Sequence, residues 1–92
     1  MLNPQPSSQF KRDYKRVKRQ GKDIAHLQKI VNWLSIEKSL PAKYKDHALS
    51  GNWYGYRECH LSPDWLLIYK ADLKTKTLKL MRVGSHSNLF KQ

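Results

Sequence analysis

The chain changes hydrophobic period about halfway along. Phe10, Tyr14 and Val17 recur at i, i+4 and i+7, with Lys11, Arg12, Lys15, Arg16, Lys18 and Arg19 filling most of the positions between and beside them. That spacing draws one apolar stripe along a helix and leaves the rest charged. Ser7 or Ser8 can cap its start and Gly21 stops it. Asp23 then favours the start of a second helix, whose stripe is Ile24, Leu27, Ile30, Val31 and Leu34. This helix must end before Pro41, because the residue preceding a proline avoids the α region. With so short a link, the two helices are expected to form an αα-hairpin.

From Tyr56 the period becomes two. Tyr56, Glu58 and His60 fall on one face of a strand, and Arg57, Cys59 and Leu61 on the other. Ser62-Pro63-Asp64 reads as a tight turn. Trp65-Leu66-Leu67-Ile68-Tyr69 is an unbroken apolar run of strand length, as expected for a central strand buried on both faces. A polar turn over Asp72 to Lys76 leads into a third strand from Thr77 to Val83, which Gly84 breaks, and Ser87 to Phe90 allows one helical turn. Residues 1–7, with Pro4 and Pro6, suit an edge strand or a loose arm, since proline cannot donate to a ladder. The expected architecture is α+β, as one domain over residues 1–92. A helical hairpin (about 8–40) packs on a small, mostly antiparallel sheet (about 43–90), with a short C-terminal helical turn.

Charge narrows the reading. The 92 residues carry 18 Lys and Arg against 7 Asp and Glu, a formal charge of +11. Both halves contribute, so the charge belongs to the folded domain and not to a basic tail. A compact chain this charged repels itself unless an anion lies nearby, which implies a nucleic acid, an acidic protein or an anionic membrane surface. No apolar run approaches the ~20 residues of a membrane span. The N-terminal stretch lacks the apolar centre of a signal peptide, so a cytoplasmic protein is expected. Cys59 is the only cysteine, which excludes an intramolecular disulfide and a cysteine-based zinc site. It alternates away from Glu58 and His60 and is expected in the core, not as a nucleophile.

The chemistry-bearing residues gather in the sheet half. His47, His60 and His86 are accompanied by Asp46, Glu58 and Asp64, and Glu58 and His60 leave the same strand face. RNA cleavage through the 2′-hydroxyl needs a base, an acid for the departing 5′-oxygen and cations for the phosphate. Histidine suits the first two because it titrates near neutrality. Arg57, Arg82, Lys45 and Lys70 are available for the third. No metal or other cofactor is needed on this route. Two alternatives stay open. His47, Glu58, His60 and Asp64 could ligate a divalent metal as mixed nitrogen and oxygen donors, although no spacing such as HExxH is present. Or the domain could be a non-catalytic module binding RNA or an acidic protein. In that case helix 1 would track phosphates, and Trp53, Tyr54 and Tyr56 would stack on bases. For Trp53 and Trp65 core packing competes with stacking. His26, with only Asp23 as an acidic neighbour in sequence, is expected at the surface.

Longer stretches add a resemblance. Tyr44-Lys45-Asp46-His47, Leu49-Ser50-Gly51-Asn52-Trp53, Gly55-Tyr56-Arg57-Glu58-Cys59-His60, Pro63 to Lys70 and Gly84-Ser85-His86-Ser87-Asn88-Leu89-Phe90 closely resemble the YafQ family of bacterial toxins, within the RelE superfamily. Phe10 to Asp13 and Gly21 to Asp23 fit the helical half more loosely. The resemblance implies a RelE-like fold and a metal-independent endoribonuclease of a type II toxin–antitoxin module that cuts messenger RNA on translating ribosomes. It implies His86 as the main catalytic group and general acid, and His47 and His60 as further catalytic histidines. Asp64 would serve as a base or orienter, Arg82 would hold phosphate and Phe90 would position the RNA. The implied partners are messenger RNA, the ribosome with its ribosomal RNA, and an acidic antitoxin of the RelB or DinJ type. Operator DNA is reached only through the antitoxin complex, and no membrane is involved. The chain departs from the family's best-known member at Glu58, where that protein has Asp, and in the two prolines where the fold has its first strand. Lys91 and Gln92 run past Phe90 as possible contacts to antitoxin or ribosome.

Overall fold

A computed structural model describes residues 1–90. Lys91 and Gln92 lie outside the described residues. The elements follow in the order β1 (Asn3–Pro6), α1 (Ser8–Arg19), α2 (Ile24–Ser35), a 3₁₀ turn (Ala42–Tyr44) and β2 (His47–Ala48). A second 3₁₀ turn (Gly51–Trp53), β3 (Arg57–Ser62), β4 (Trp65–Asp72), β5 (Thr77–Gly84) and α3 (His86–Leu89) complete the domain.

The helices begin where side chains can satisfy their first amide groups. Ser7 Oγ accepts from Phe10 N at 2.9 Å, and Asp23 Oδ1 accepts from His26 N at 3.1 Å. Ser7 also donates to Met81 O at 2.9 Å, so the cap of α1 is tied to β5. Gly21 takes the left-handed conformation (φ 79°) that closes α1. Helix α2 stops at Ser35, short of the proline limit, and the following turn passes through left-handed Glu37. Each helix packs on the sheet more than on its neighbour. Helix α1 lies against β5, and α2 against β1 and β3. The expected hairpin is therefore held together through the sheet.

The five strands are ordered β1-β5-β4-β3-β2. Strand β4 is central, as its apolar run requires, with β5 and β3 antiparallel on either side. Strand β1 pairs parallel with β5, making the sheet mixed. Asn3 N and Ser7 N bond inward to Lys76 O and Leu80 O, while the prolines fall between the inward donors. Prolines at these positions also leave the outer edge short of donors for another strand. Strand β2 has only two residues and no sequence signal.

The sheet is buried on both faces, unequally. On the helix-covered face Cys59, Leu61, Trp65, Leu67, Tyr69, Leu78, Leu80 and Val83 meet Phe10, Val17, Leu27, Ile30, Val31 and Leu34. On the other face Leu66 and Ile68 meet Leu89, with Leu49, Trp53, Tyr56, Met81 and Phe90 packed around them. The larger core anchors the domain. The smaller one is a floor on which the polar groups of the open face stand.

Candidate functional site

Strand register assembles the site. His47 pairs with Glu58, Glu58 with Ile68, and Ile68 with Arg82, forming one row across the sheet. His60 pairs with Leu66 and Leu66 with Gly84, forming the next row. Paired residues share a face, so Glu58, His60 and His47 all stand on the open side. The chain then leaves β5 at Gly84 and caps a single helical turn with Ser85, whose Oγ accepts from Asn88 N at 3.3 Å. A side chain at Gly84 would meet Leu89 Cδ2 at 3.3 Å and Arg16 Nη2 at 3.4 Å. Glycine there lets α3 fold back and set His86 beside His60. Asp64, across the β3–β4 turn, accepts from the backbone N–H of His86 at 3.4 Å.

Three imidazoles and one phenyl ring form a continuous row. Ring centroids are 6.2 Å apart from His47 to His60, 6.0 Å from His60 to His86, and 5.5 Å from His86 to Phe90. Under this row the buried Glu58 carboxylate places Oε1 3.3 Å from His60 Nε2 and 3.5 Å from His47 Nε2. His47 Nδ1 lies 2.7 Å from Lys45 O. A carbonyl only accepts, so Nδ1 carries a proton and donates it. The contact from His47 Nε2 to an ionised carboxylate is then attractive only with one further proton on the pair. His60 differs: its Nε2 faces Glu58, and no protein group among the described residues engages its Nδ1. One oxygen of the Glu58 carboxylate thus reaches both imidazoles.

The expected cations divide. Lys70 lies over the Tyr56 ring at 5.5 Å, on the open face beyond Glu58. Lys45 sits at the margin of the row and holds His47 through its carbonyl. Arg82 stands in the Glu58 row, but Nε donates to Asp13 Oδ2 at 2.7 Å and Nη2 to Asp13 Oδ1 at 3.2 Å. Arg57 is not brought to the cluster. It points to the helix-covered face, where Nε donates to Asp46 Oδ1 at 3.1 Å beside the Tyr69 hydroxyl, which donates to the same oxygen at 2.7 Å. Desolvation is the largest single influence on the Arg57 guanidinium and lowers it, but the combined contacts with Tyr69 and Asp46 outweigh it and leave the group above its ordinary value. Burial, with a hydrogen bond to Asp46, likewise pushes the Tyr69 phenol up. Cys59 is fully buried on that face, and desolvation lifts its thiol to about 12, which leaves it unreactive as a nucleophile. Among the aromatics, Trp53 and Tyr56 pack edge to face on the small core at 5.4 Å, while Tyr54 is 82% exposed.

Two residues carry roles the sequence reading missed. Asp13 is fully buried and also takes Arg16 Nη2 at 2.9 Å and Val83 N at 3.2 Å. Its signal was present: it is the one acid in the basic run of α1, between Phe10 and Val17 on the apolar side. His26 is half-buried, contrary to the surface expectation. Its Nε2 donates to Leu61 O at 3.1 Å, and its ring lies between Tyr44 and Trp65. No group of three or more His, Cys, Asp or Glu is arranged to hold a metal ion among the described residues.

A mixed five-stranded sheet with helices on one face and a histidine–carboxylate row on the other is the layout of a RelE-like toxin domain. Residues 2–91 match the family model for the bacterial toxin of type II toxin–antitoxin systems, YafQ, and the chain belongs to that family. It is 44% identical over 85 residues to the mRNA interferase toxin YafQ of Escherichia coli K12, covering 91% of this chain and 90% of the relative. A metal-bound toxin from Helicobacter pylori superposes with a TM-score of 0.92 at 46% identity, over 98% of this chain and all of the other. YafQ in the E. coli DinJ–YafQ complex superposes with a TM-score of 0.87 at 40% identity, over 98% of this chain and 99% of the other. No helix of the described residues is long and apolar enough to cross a membrane.

Proposed function

We propose that this toxin is an endoribonuclease that cuts messenger RNA on the ribosome, without a metal, by attack of a 2′-hydroxyl on the neighbouring phosphorus. The observation that carries the mechanism is the environment of His60. With Nε2 directed at the buried Glu58, Nδ1 is free to take the 2′-hydroxyl proton, and Glu58 offsets the charge that the ring acquires. The 2′-oxygen bonds to phosphorus, the bond from phosphorus to the 5′-oxygen breaks, and His86 donates a proton to the leaving oxygen. The products are a 2′,3′-cyclic phosphate and a 5′-hydroxyl.

His86 fits the acid role because it is exposed, lies one ring away from His60 and stands beside Phe90, a platform for a neighbouring base. Asp64 acts as a positioning residue through the His86 backbone. His47, with its proton shared with Glu58, and Lys70 face the phosphate charge, and Arg82 contributes from a fixed position. The relatives support the reading: the E. coli K12 protein is named an mRNA interferase, and E. coli YafQ was solved with DinJ. A corresponding acidic antitoxin would be drawn to the +11 domain at an enhanced rate, would block the toxin, and in complex with it would bind operator DNA.

The test is a map of cut ends on ribosome-bound message with wild type and His86→Ala. Cleavage by wild type and its loss in a folded His86→Ala protein support the proposal; equal cleavage by both removes His86 from the mechanism. Excess EDTA should leave cleavage of free RNA unchanged wherever free RNA is cut, and loss of that cleavage would favour a metal nuclease. Ribosomes themselves need magnesium, so free RNA is the substrate for that arm.

A further inference from the structure

Beside His60 the open face continues into a groove of about 400 Å³. It is lined by His26, Lys43, Tyr44, Lys45, His60 and Pro63, among others. Its size is near the lower end of the ~300–1,000 Å³ usual for small-ligand sites. One wall is rigid. Tyr44 is buried, its ring is 5.8 Å from that of His26, and His26 is fixed by its bond to Leu61 O. Two cations stand over it. Lys43 Nζ lies 5.2 Å from the Tyr44 ring centroid, a cation–π contact that holds the ammonium at the groove. Lys45 occupies the left-handed region (φ 49°, ψ 44°), where glycine would avoid a backbone cost of roughly 1 kcal/mol. That turn aims the Lys45 carbonyl at His47 Nδ1 while its side chain lines the groove. One residue therefore joins the histidine row to the groove.

We infer that this groove is a nucleotide subsite for the message itself, holding the nucleotide next to the scissile bond. Lys43 and Lys45 carry its phosphate, and the base lies against the His26–Tyr44 wall. The inference rests on the proposed cleavage reading for its place in the reaction. The chemistry fits a single-stranded RNA segment: two lysines lining the groove for the backbone and an apolar, partly aromatic wall for a base. Continuity through His60 puts the subsite in line with the cleavage centre. The groove thereby sets which nucleotide context is cut, while the chemistry stays with His60 and His86.

The experiment compares Lys43→Gln/Lys45→Gln with Lys74→Gln/Lys76→Gln, which removes the same charge from the β4–β5 turn. The first probe is a single-stranded RNA of about ten nucleotides with 2′-O-methyl groups, which cannot be cleaved by the 2′-hydroxyl route. The groove variant should bind it about tenfold more weakly than wild type, with a salt dependence shallower by about 0.7 in log–log slope, the value for one phosphate neutralised on a single strand. The turn variant should stay within about twofold, and Lys43→Arg/Lys45→Arg should restore binding. NMR signals of the His26 ring should shift on RNA addition in wild type and not in the groove variant. On programmed ribosomes the groove variant should raise KM, retain kcat and redistribute the cut sites. Equal weakening in the groove and turn variants, or none in either, overturns the subsite. Normal binding of the oligonucleotide with loss of binding to vacant ribosomes reassigns the lysines to ribosomal RNA and also overturns it. If wild type binds through the groove yet cuts no message, the subsite stands and the cleavage proposal falls. If wild type cuts and the groove variant matches it in KM and cut sites, the subsite falls and the cleavage proposal stands.

Discussion

The two faces of the sheet treat their charged side chains in opposite ways. On the helix-covered side, Asp13 is saturated by Arg16, by Val83 N and by Arg82, which reaches it from the site row, and Asp46 by Arg57 and Tyr69. Those contacts combine opposite charge with hydrogen bonds of good length, and they sit against the larger core. On the open side, His47, Glu58 and His60 meet at 3.3–3.5 Å through one carboxylate oxygen, His86 has no side-chain partner among the described residues, and the row opens to solvent. The first arrangement stabilises a fold. The second leaves His60 Nδ1 and the His86 ring unengaged among the described residues, as the proposed proton transfers require. Removing groups from the two faces should therefore damage different properties.

The largest separation is expected from His60→Ala. Loss of the proposed general base should cut message cleavage by about 10²- to 10⁴-fold. The urea midpoint should stay close to wild type, because the residue rests on the small core at the sheet margin. A rate within tenfold of wild type would break the division of roles. Asp13→Ala is the converse. It leaves Arg82 and Arg16 without their buried partner and should lower stability by about 3–5 kcal/mol, read as a fall in urea midpoint at unchanged slope. Cleavage per folded molecule at low temperature should fall far less than in His60→Ala, since only the anchoring of Arg82 is lost.

Glu58→Gln sharpens the comparison at the boundary. It keeps the shape but removes the acceptor charge shared by two imidazoles. The expected loss is about 1–3 kcal/mol of transition-state stabilisation, or ~5- to 150-fold in kcat/KM, with a changed pH profile. A purely structural role would lower stability and leave that profile unmoved.

The last effect concerns Cys59, on the covered side, and is absent at neutral pH. Its thiol is raised from 9.0 to about 12 by burial, so the folded state holds its proton longer than the unfolded chain does. The unfolded state then binds fewer protons above pH 9, and stability must fall as pH rises from there towards 12, by up to about 1.4 kcal/mol per pH unit. Below pH 9 this contribution is fully present. Cys59→Ala should flatten the alkaline slope of the urea midpoint; an unchanged slope would mean that the thiol is not protected by burial.

Periodicity exposed most of this architecture. The stripes of α1 and α2, the doubly buried run of β4 and the shared face of Glu58 and His60 all follow from spacing alone, because burial is periodic. Faces and edges were harder. Two-residue β2 and the parallel pairing of β1 depend on neighbours distant in sequence, which no local pattern records. Arg57 looked like a phosphate ligand because its charge is legible, yet alternation already put it on the face opposite Glu58. Arg82 shares the site row, but its pairing with Asp13 spans 69 positions and is set by how α1 seats on β5. His26 was read by its neighbours in sequence, whereas its environment comes from Leu61, Tyr44 and Trp65. The histidine row could be listed from sequence, and its order came only with the register.

The central claim is that the open face runs 2′-hydroxyl chemistry through His60 and His86. Its most direct test is the chemical identity of the RNA ends produced on ribosomes, read by mass spectrometry or by end-specific ligation. The expected ends are a 2′,3′-cyclic phosphate, or the 3′-phosphate derived from it, and a 5′-hydroxyl. A 5′-phosphate with a 3′-hydroxyl would contradict the account, because water and not the 2′-oxygen would then have attacked the phosphorus.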